Sequence, residues 1–282
     1  MKPERQRPWW RRVLRALAWL LVGFVLLSVG WVLAYRFVDP PLSGLMLERR
    51  IEARLAGLPY REDRCALPVL PETLALAVIA SEDQRFFDHR GFDWAELQRA
   101  VDTARAGGRL RGASTLSQQV AKNLFLWSGR SWLRKGLEAW FTVLVEALLP
   151  KSRILALYLQ VAELGPGVYG ACAAARHHYG RSAGALSVEQ AAGLAVLLPA
   201  PRRYRLDRPS AYLAQRQRWV QRQMRQLGGV AWLRARLASV RGEWRVPTVR
   251  VAAPRRGRRS RRPASGSRGR TSSTTDSRAL WG

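Results

Sequence analysis

Between Leu45 and about Gly228 the hydrophobic positions recur at helical spacing, broken by Gly and Pro, with almost no alternation of the strand type. The expectation is a mainly α-helical domain. Ahead of it stands a segment with no polar face at all. Ala16 to Tyr35 (ALAWLLVGFVLLSVGWVLAY) runs twenty residues without a charge, and at about 1.5 Å per residue that length spans a hydrocarbon core of roughly 30 Å. We read it as one transmembrane helix. Trp9, Trp10 and Trp19 at one end, and Trp31 and Tyr35 at the other, suit the two interfacial belts. A cleaved signal would have a shorter apolar region, roughly 7–15 residues, and a small-residue cleavage site after it. Arg36-Phe37-Val38-Asp39-Pro40-Pro41 follows instead.

Within the domain, capping signals mark the helix starts. Asp93 with Glu96 has the spacing of a capping box before AELQRAVDTARAG, and Ser187 with Gln190 has it before AAGLAVLL, a helix that Pro199 should end. AAGLAVLL is apolar nearly all round and reads as a core helix. Residues 131–149 (SWLRKGLEAWFTVLVEALL) form another long helical pattern, KSRILALYLQVAEL follows Pro150, and an amphipathic Arg- and Gln-rich helix covers Tyr212 to Leu227. No repeat of solenoid period occurs.

Length and charge refine this picture. A chain of 282 residues with 48% hydrophobic residues holds one sizeable domain with appendages. The formal net charge is +28, partly concentrated at the ends. Lys2, Arg5, Arg7, Arg11, Arg12 and Arg15 face only Glu4, which places the N-terminus in the cytoplasm and the rest outside. Nine arginines of residues 252–282 face only Asp276; that stretch of Arg, Ser, Gly and Pro lacks an apolar set to offset ordering entropy and should be disordered. The expected organisation is a basic cytoplasmic segment 1–15, a membrane helix 16–35, a catalytic domain 36–228, an extension 229–251 and a disordered tail 252–282. Cys65 and Cys172 form no disulfide framework and no metal-ligand spacing, and take no role here.

Three clusters carry candidate chemistry. In Ser81-Glu82-Asp83-Gln84-Arg85-Phe86-Phe87-Asp88-His89-Arg90-Gly91 a carboxylate ends a buried helix among two Phe and a His, where desolvation raises a pKa towards general-base duty. By itself the pattern fits a helix cap or a solvated acid better. In Gly112-Ala113-Ser114-Thr115-Leu116-Ser117-Gln118-Gln119-Val120-Ala121-Lys122-Asn123, Ser114 or Thr115 caps a helix whose free N–H groups favour an anion, with Gln118 and Lys122 one turn apart. A capped surface helix explains it equally well. Arg130, Arg134, Lys135 and Glu138 offer cations for an anionic leaving group and a second carboxylate; the plain alternative is an i,i+4 ion pair.

The order EDQRFFDHRG, GASTLSQQVAKN, RKGLE and KSRILALYLQVAELGPGVYGACAAARHHYG resembles the signature motifs of family 51 glycosyltransferases, found in monofunctional glycosyltransferases and in the N-terminal modules of bifunctional penicillin-binding proteins. The resemblance covers roughly Phe37 to Gly228. It implies an all-α, lysozyme-like domain with a mobile, membrane-dipping subdomain, preceded by one transmembrane helix and acting on lipid II. It implies Glu82 as catalytic base and Glu138 as second essential carboxylate. Ser114, Thr115, Gln118, Gln119, Lys122, Asn123, Arg130, Arg134, Lys135 and His89 become substrate-binding positions. The fourth motif commonly reads K-x-x-I-L-E-x-Y-L-N, and here Ala156 and Gln160 stand at its Glu and Asn positions.

The implied reaction joins the anomeric carbon of a lipid-linked glycan chain to the 4-hydroxyl of incoming lipid II, with undecaprenyl pyrophosphate departing. It needs a base and charge stabilisation but no strong acid, and Lys122, Arg130, Arg134 and Lys135 supply that charge, with a divalent cation (Mg2+ or Mn2+) held near Glu138 as a further expectation. No organic cofactor and no nucleic acid is expected. The expected location is the bacterial inner membrane, single-pass, with the catalytic domain in the periplasm and other cell-wall synthesis or division proteins as partners. Two competing readings are a membrane-bound lysozyme-like lytic transglycosylase, against which the second and third clusters argue, and a membrane-tethered polyanion-binding protein, which rests on the tail alone. A transpeptidase module is not expected: no Ser-x-x-Lys or Lys-Thr-Gly occurs, and little chain remains beyond Gly228.

Overall fold

The computed structural model describes residues 9–57, 69–108, 114–129 and 131–240. The expected disordered tail and Cys65 lie outside them. Glu72–Glu82 (α3) is apolar on every side, so it can be satisfied only by being surrounded. Val188–Ala195 (α9), Ala211–Gln226 (α10) and Gly229–Ser239 (α11) pack around it. Leu74 to Ala80 are consequently all buried. The folded body therefore includes α11, which packs on α3 although it lies past Gly228.

Leu116–Phe125 (α5) forms a second centre, packed on Gly44–Leu55 (α2), Trp132–Leu148 (α6) and Lys151–Val161 (α7). Trp94–Arg105 (α4) is a surface helix, with Ala100 its sole buried residue. Gly170–Tyr179 (α8) follows a two-stranded hairpin of Glu163–Gly165 (β1) and Val168–Tyr169 (β2). The helical run expected to continue through Glu163-Leu164 thus stops at Val161, because the chain turns back at Gly167 (φ +72°) and pairs with itself. Gly170 (φ +80°) seats the returning strand against α7: a Cβ there would lie 2.6 Å from the Gln160 carbonyl oxygen. Cys172 on α8 is disulfide-bonded.

Capping follows the sequence with two adjustments. Ser187 and Gln190 form a full capping box, but α9 ends at Ala195, and the chain from Val196 to Ala200 descends in turns before and across Pro199. Asp93 caps α4 by accepting from the Glu96 N–H, while the Glu96 carboxylate turns to Arg99 instead of returning to the cap.

Trp9–Ala34 (α1) begins earlier than its uncharged stretch, taking in Arg11, Arg12 and Arg15. Its mean hydropathy reaches 2.4 and most of its apolar surface is bare. Its second half is docked. Trp31 stands edge-on to Phe125 at 5.2 Å, Phe125 stacks on Phe141 at 4.4 Å, and the Trp140 indole N–H donates to Ser28 Oγ at 3.1 Å. Below the helix, fully buried Arg153 of α7 donates to the carbonyls of Tyr35 and Val38 at 2.6 and 2.7 Å and pairs with Asp39 at 2.8 Å. Arg36 answers by donating to the Leu148 carbonyl at 2.8 Å.

Candidate active site

Glu82 is the last residue of α3, since Asp83 leaves the helix at φ −160°. It stands on a cleft of about 960 Å³ walled by Arg85, Ser114, Thr115 and Gln119 on one side and Arg216, Trp219 and Arg222 of α10 on the other. Its Oε1 accepts from Ser81 Oγ at 3.2 Å and its Oε2 from Gln119 Nε2 at 3.1 Å. The other end of the Gln119 amide accepts from the buried Tyr158 hydroxyl at 3.0 Å. Burial pushes the Glu82 carboxyl up from the ordinary glutamate range; the Gln119 and Ser81 bonds and the Arg216 charge hold it partly down, and Asp83 adds to the rise. Burial also pushes the Tyr158 phenol well up, so it keeps the proton that it donates to Gln119.

Next to Glu82, Asp83 ties the loop to α5. Its carboxylate accepts from the Leu116 N–H at 2.9 Å, at the positive end of that helix, and from His89 Nε2 at 3.0 Å. The Gly91 N–H donates to His89 Nδ1 at 3.2 Å, which fixes the hydrogen on Nε2. Thr115, not Ser114, caps α5 in a full capping box with Gln118, and its hydroxyl donates to the Gly91 carbonyl at 2.6 Å. Gly91 (φ +89°) permits the close approach, since a Cβ there would meet Thr142 Cγ2 at 2.8 Å. Three residues expected to bind substrate are therefore bound up in structure: His89 is buried on Asp83, Thr115 holds the cap, and the Gln118 side-chain oxygen returns to the Thr115 N–H. His89 and Thr115 join the Glu82 loop to α5, and Gln118 closes the cap of that helix.

The third cluster sits apart from the cleft. Glu138 is buried, 4% exposed, accepting from Arg134 Nη1 at 2.8 Å through one oxygen and from Lys135 through the other. Both oxygens are thus occupied by cations, and among the described residues no three acidic, His or Cys side chains gather where they could hold a metal ion. This donor set does not fit a divalent cation seated on Glu138. Lys122 is exposed and forms no ion pair among the described residues; Asn123 is half-buried beside it, and Arg130 lies outside them. Of the expected residues, then, Glu82, Ser114, Thr115 and Gln119 share the cleft, while Glu138, Arg134 and Lys135 form a separate triad.

Sequence reasoning missed the far wall of the cleft. Arg216 donates to the Ser81 carbonyl at 3.2 Å and covers the Trp219 ring at 3.9 Å, so α10 contributes charge directly beside Glu82. The Arg- and Gln-rich periodicity of α10 was the available signal, but it gave no means of choosing which arginine turns inward. Tyr158 stands at the Tyr of the fourth motif, but its place within an apolar helix gave no sign that its hydroxyl reaches Gln119.

The transglycosylase family model matches residues 53–225. A biosynthetic peptidoglycan transglycosylase of Chromohalobacter salexigens is 54% identical over 229 residues, covering 80% of this chain and 98% of that protein. One of Pseudomonas putida is 52% identical over 79% of this chain and 94% of its own length. One of Xanthomonas campestris pv. campestris is 50% identical over 80% and 94%.

Proposed function

This chain belongs to the transglycosylase family and is a peptidoglycan glycosyltransferase; from that premise we propose that it polymerises lipid II into β-1,4 glycan strands, releasing undecaprenyl pyrophosphate, with Glu82 as the base. The observation that carries the reading is the setting of Glu82. It is a carboxylate at the edge of a large cleft, raised in pKa by burial and held in one orientation by Gln119. A base poised closer to neutrality than an ordinary glutamate suits proton abstraction from a sugar hydroxyl.

In the proposed step the 4-hydroxyl of the incoming disaccharide attacks the anomeric carbon of the growing chain. A new carbon–oxygen bond forms, the bond to pyrophosphate breaks, and the hydroxyl proton passes to Glu82. The leaving group departs as a stable anion, so charge stabilisation replaces acid catalysis. Arg216 and Arg222 line the cleft itself, and we assign Lys122, Arg134 and Lys135 to the path of the pyrophosphate, with Glu138 holding the last two in place. No step passes through a metal ion.

We place the enzyme in the bacterial inner membrane with its catalytic body in the periplasm. The long apolar α1 and the cations at and before its start support this, as does the anchoring on Arg153 of the residues just after it, which a removable leader would not need. The test is incubation of the purified full chain with labelled lipid II. Polymer formation supports the reading; release of muropeptides from finished cell wall, with no polymer, would favour a hydrolase.

A further inference from the structure

Outside the lining of the cleft, a buried lysine, glutamate and serine share a single network that the proposed reaction does not use. Glu146 of α6 accepts through one oxygen from both Ser117 Oγ and Lys151 Nζ, the latter at 2.8 Å. The Lys151 and Glu146 side chains are only 10% and 8% exposed, and Ser117 is fully buried. Lys151 also lies over the face of Phe86 at 4.5 Å, and Phe86 is fully buried in the loop that begins at Glu82.

This placement is unfavourable by itself. Lys151 is the first residue of α7, where the helix dipole opposes a cation, and burial pushes its ammonium pKa down. A buried pair of this kind seldom adds net stability over apolar side chains of the same volume. What it does supply is direction. Ser117 stands two residues before Gln119 on α5, and Tyr158 stands two turns after Lys151 on α7. The two helices are therefore linked by a pair of rungs, Ser117–Glu146–Lys151 and Gln119–Tyr158, and the second rung ends on Glu82. Phe86, pressed under Lys151, fixes the loop on the other side of the same carboxylate.

We propose that Glu146 and Lys151 are positioning residues for the reaction: through Ser117 and Phe86 they hold α5 and the Glu82 loop in the register that lets Gln119 orient the base. The proposal rests on the assignment of Glu82 as base. Its test uses the full chain in detergent with labelled lipid II and two variants, Ser117→Ala and the double variant Glu146→Leu/Lys151→Met, which removes both charges together. The expected result is a thermal midpoint within a few degrees of wild type, a kcat lowered about tenfold, a KM within about twofold, and an acid limb of the pH–kcat profile moved upward, because Glu82 loses the Gln119 bond that lowers its pKa. The titratable and charged groups around that carboxylate are Asp83, Arg216 and Tyr158, none of which is altered. Variants that keep kcat within about twofold and an unmoved acid limb, whatever their thermal stability, overturn the proposal and leave the pair a purely structural one. Should the double variant not fold, Ser117→Ala decides by the same readings. A wild-type chain that makes no polymer would instead sink the underlying reading of function.

Discussion

Gln119 donates to Glu82 at 3.1 Å with one end of its side-chain amide while the other end accepts from Tyr158 at 3.0 Å, so the proposed base is oriented by a residue that is itself held on both sides. A lone carboxylate at a helix end would be free to rotate. Here the Gln119 bond fixes one oxygen, the Ser81 hydroxyl meets the other, and both bonds work against the rise in pKa that burial causes.

Glu82→Gln should lower turnover at least about 100-fold, since the amide cannot take a proton and general-base contributions are typically of that order or more. Polymer formed from labelled lipid II measures it; a variant retaining more than about a tenth of wild-type turnover is incompatible with the assignment.

The same substitution should leave the fold as stable or more stable at neutral pH. The folded-state pKa of Glu82 is raised, so its contribution to stability is greatest below the unfolded glutamate value and declines as pH rises through the folded one. The thermal midpoint of Glu82→Gln relative to wild type should therefore rise between acidic and neutral pH. A difference that shrinks over that interval contradicts the sign.

Removing the orienting bond should move the pH dependence. In Gln119→Leu the Glu82 pKa rises further, and because the base must be ionised, activity is lost at a higher pH as acid is added. Tyr158→Phe leaves the Gln119 donor in place and should shift the acid limb less. Equal, unshifted acid limbs in both variants would separate Gln119 from the base.

Arg153→Met should destabilise the protein by roughly 2–5 kcal/mol, because it leaves two carbonyls without their donor and Asp39 without its cation. Thermal unfolding in detergent reads this directly. The loss should exceed that from removing an exposed arginine such as Arg205, whose pair with Asp207 is screened by solvent.

Much of this was legible beforehand and some was not, for physical reasons. Local spacing revealed the Ser187–Gln190 box and the Arg134–Glu138 pair, since both are contacts between neighbours on one helix. It did not reveal that Glu138 would be buried with both oxygens taken. The motif order brought out Glu82, but not that His89 would meet Asp83, six residues back across a turn. Arg153 carried no local signal of its role, because its acceptors lie more than a hundred residues away in sequence. Gln160, at the position where the resembling family commonly has Asn, keeps both side-chain polar atoms buried with no hydrogen-bond partner among the described residues. No spacing rule foretells an unsatisfied group.

The docking of α1 onto α6, and of the residues just after it onto Arg153 of α7, leaves little slack between the apolar helix and the body. Were the two joined by a flexible linker, a bilayer a few ångströms thicker or thinner would simply stretch or relax it. With Arg153 and Asp39 locking the lower end of the helix, mismatch between its apolar length and the membrane must tip the catalytic body as one piece. Lipid thickness then becomes a means of tilting the cleft toward or away from a substrate that arrives in the same plane.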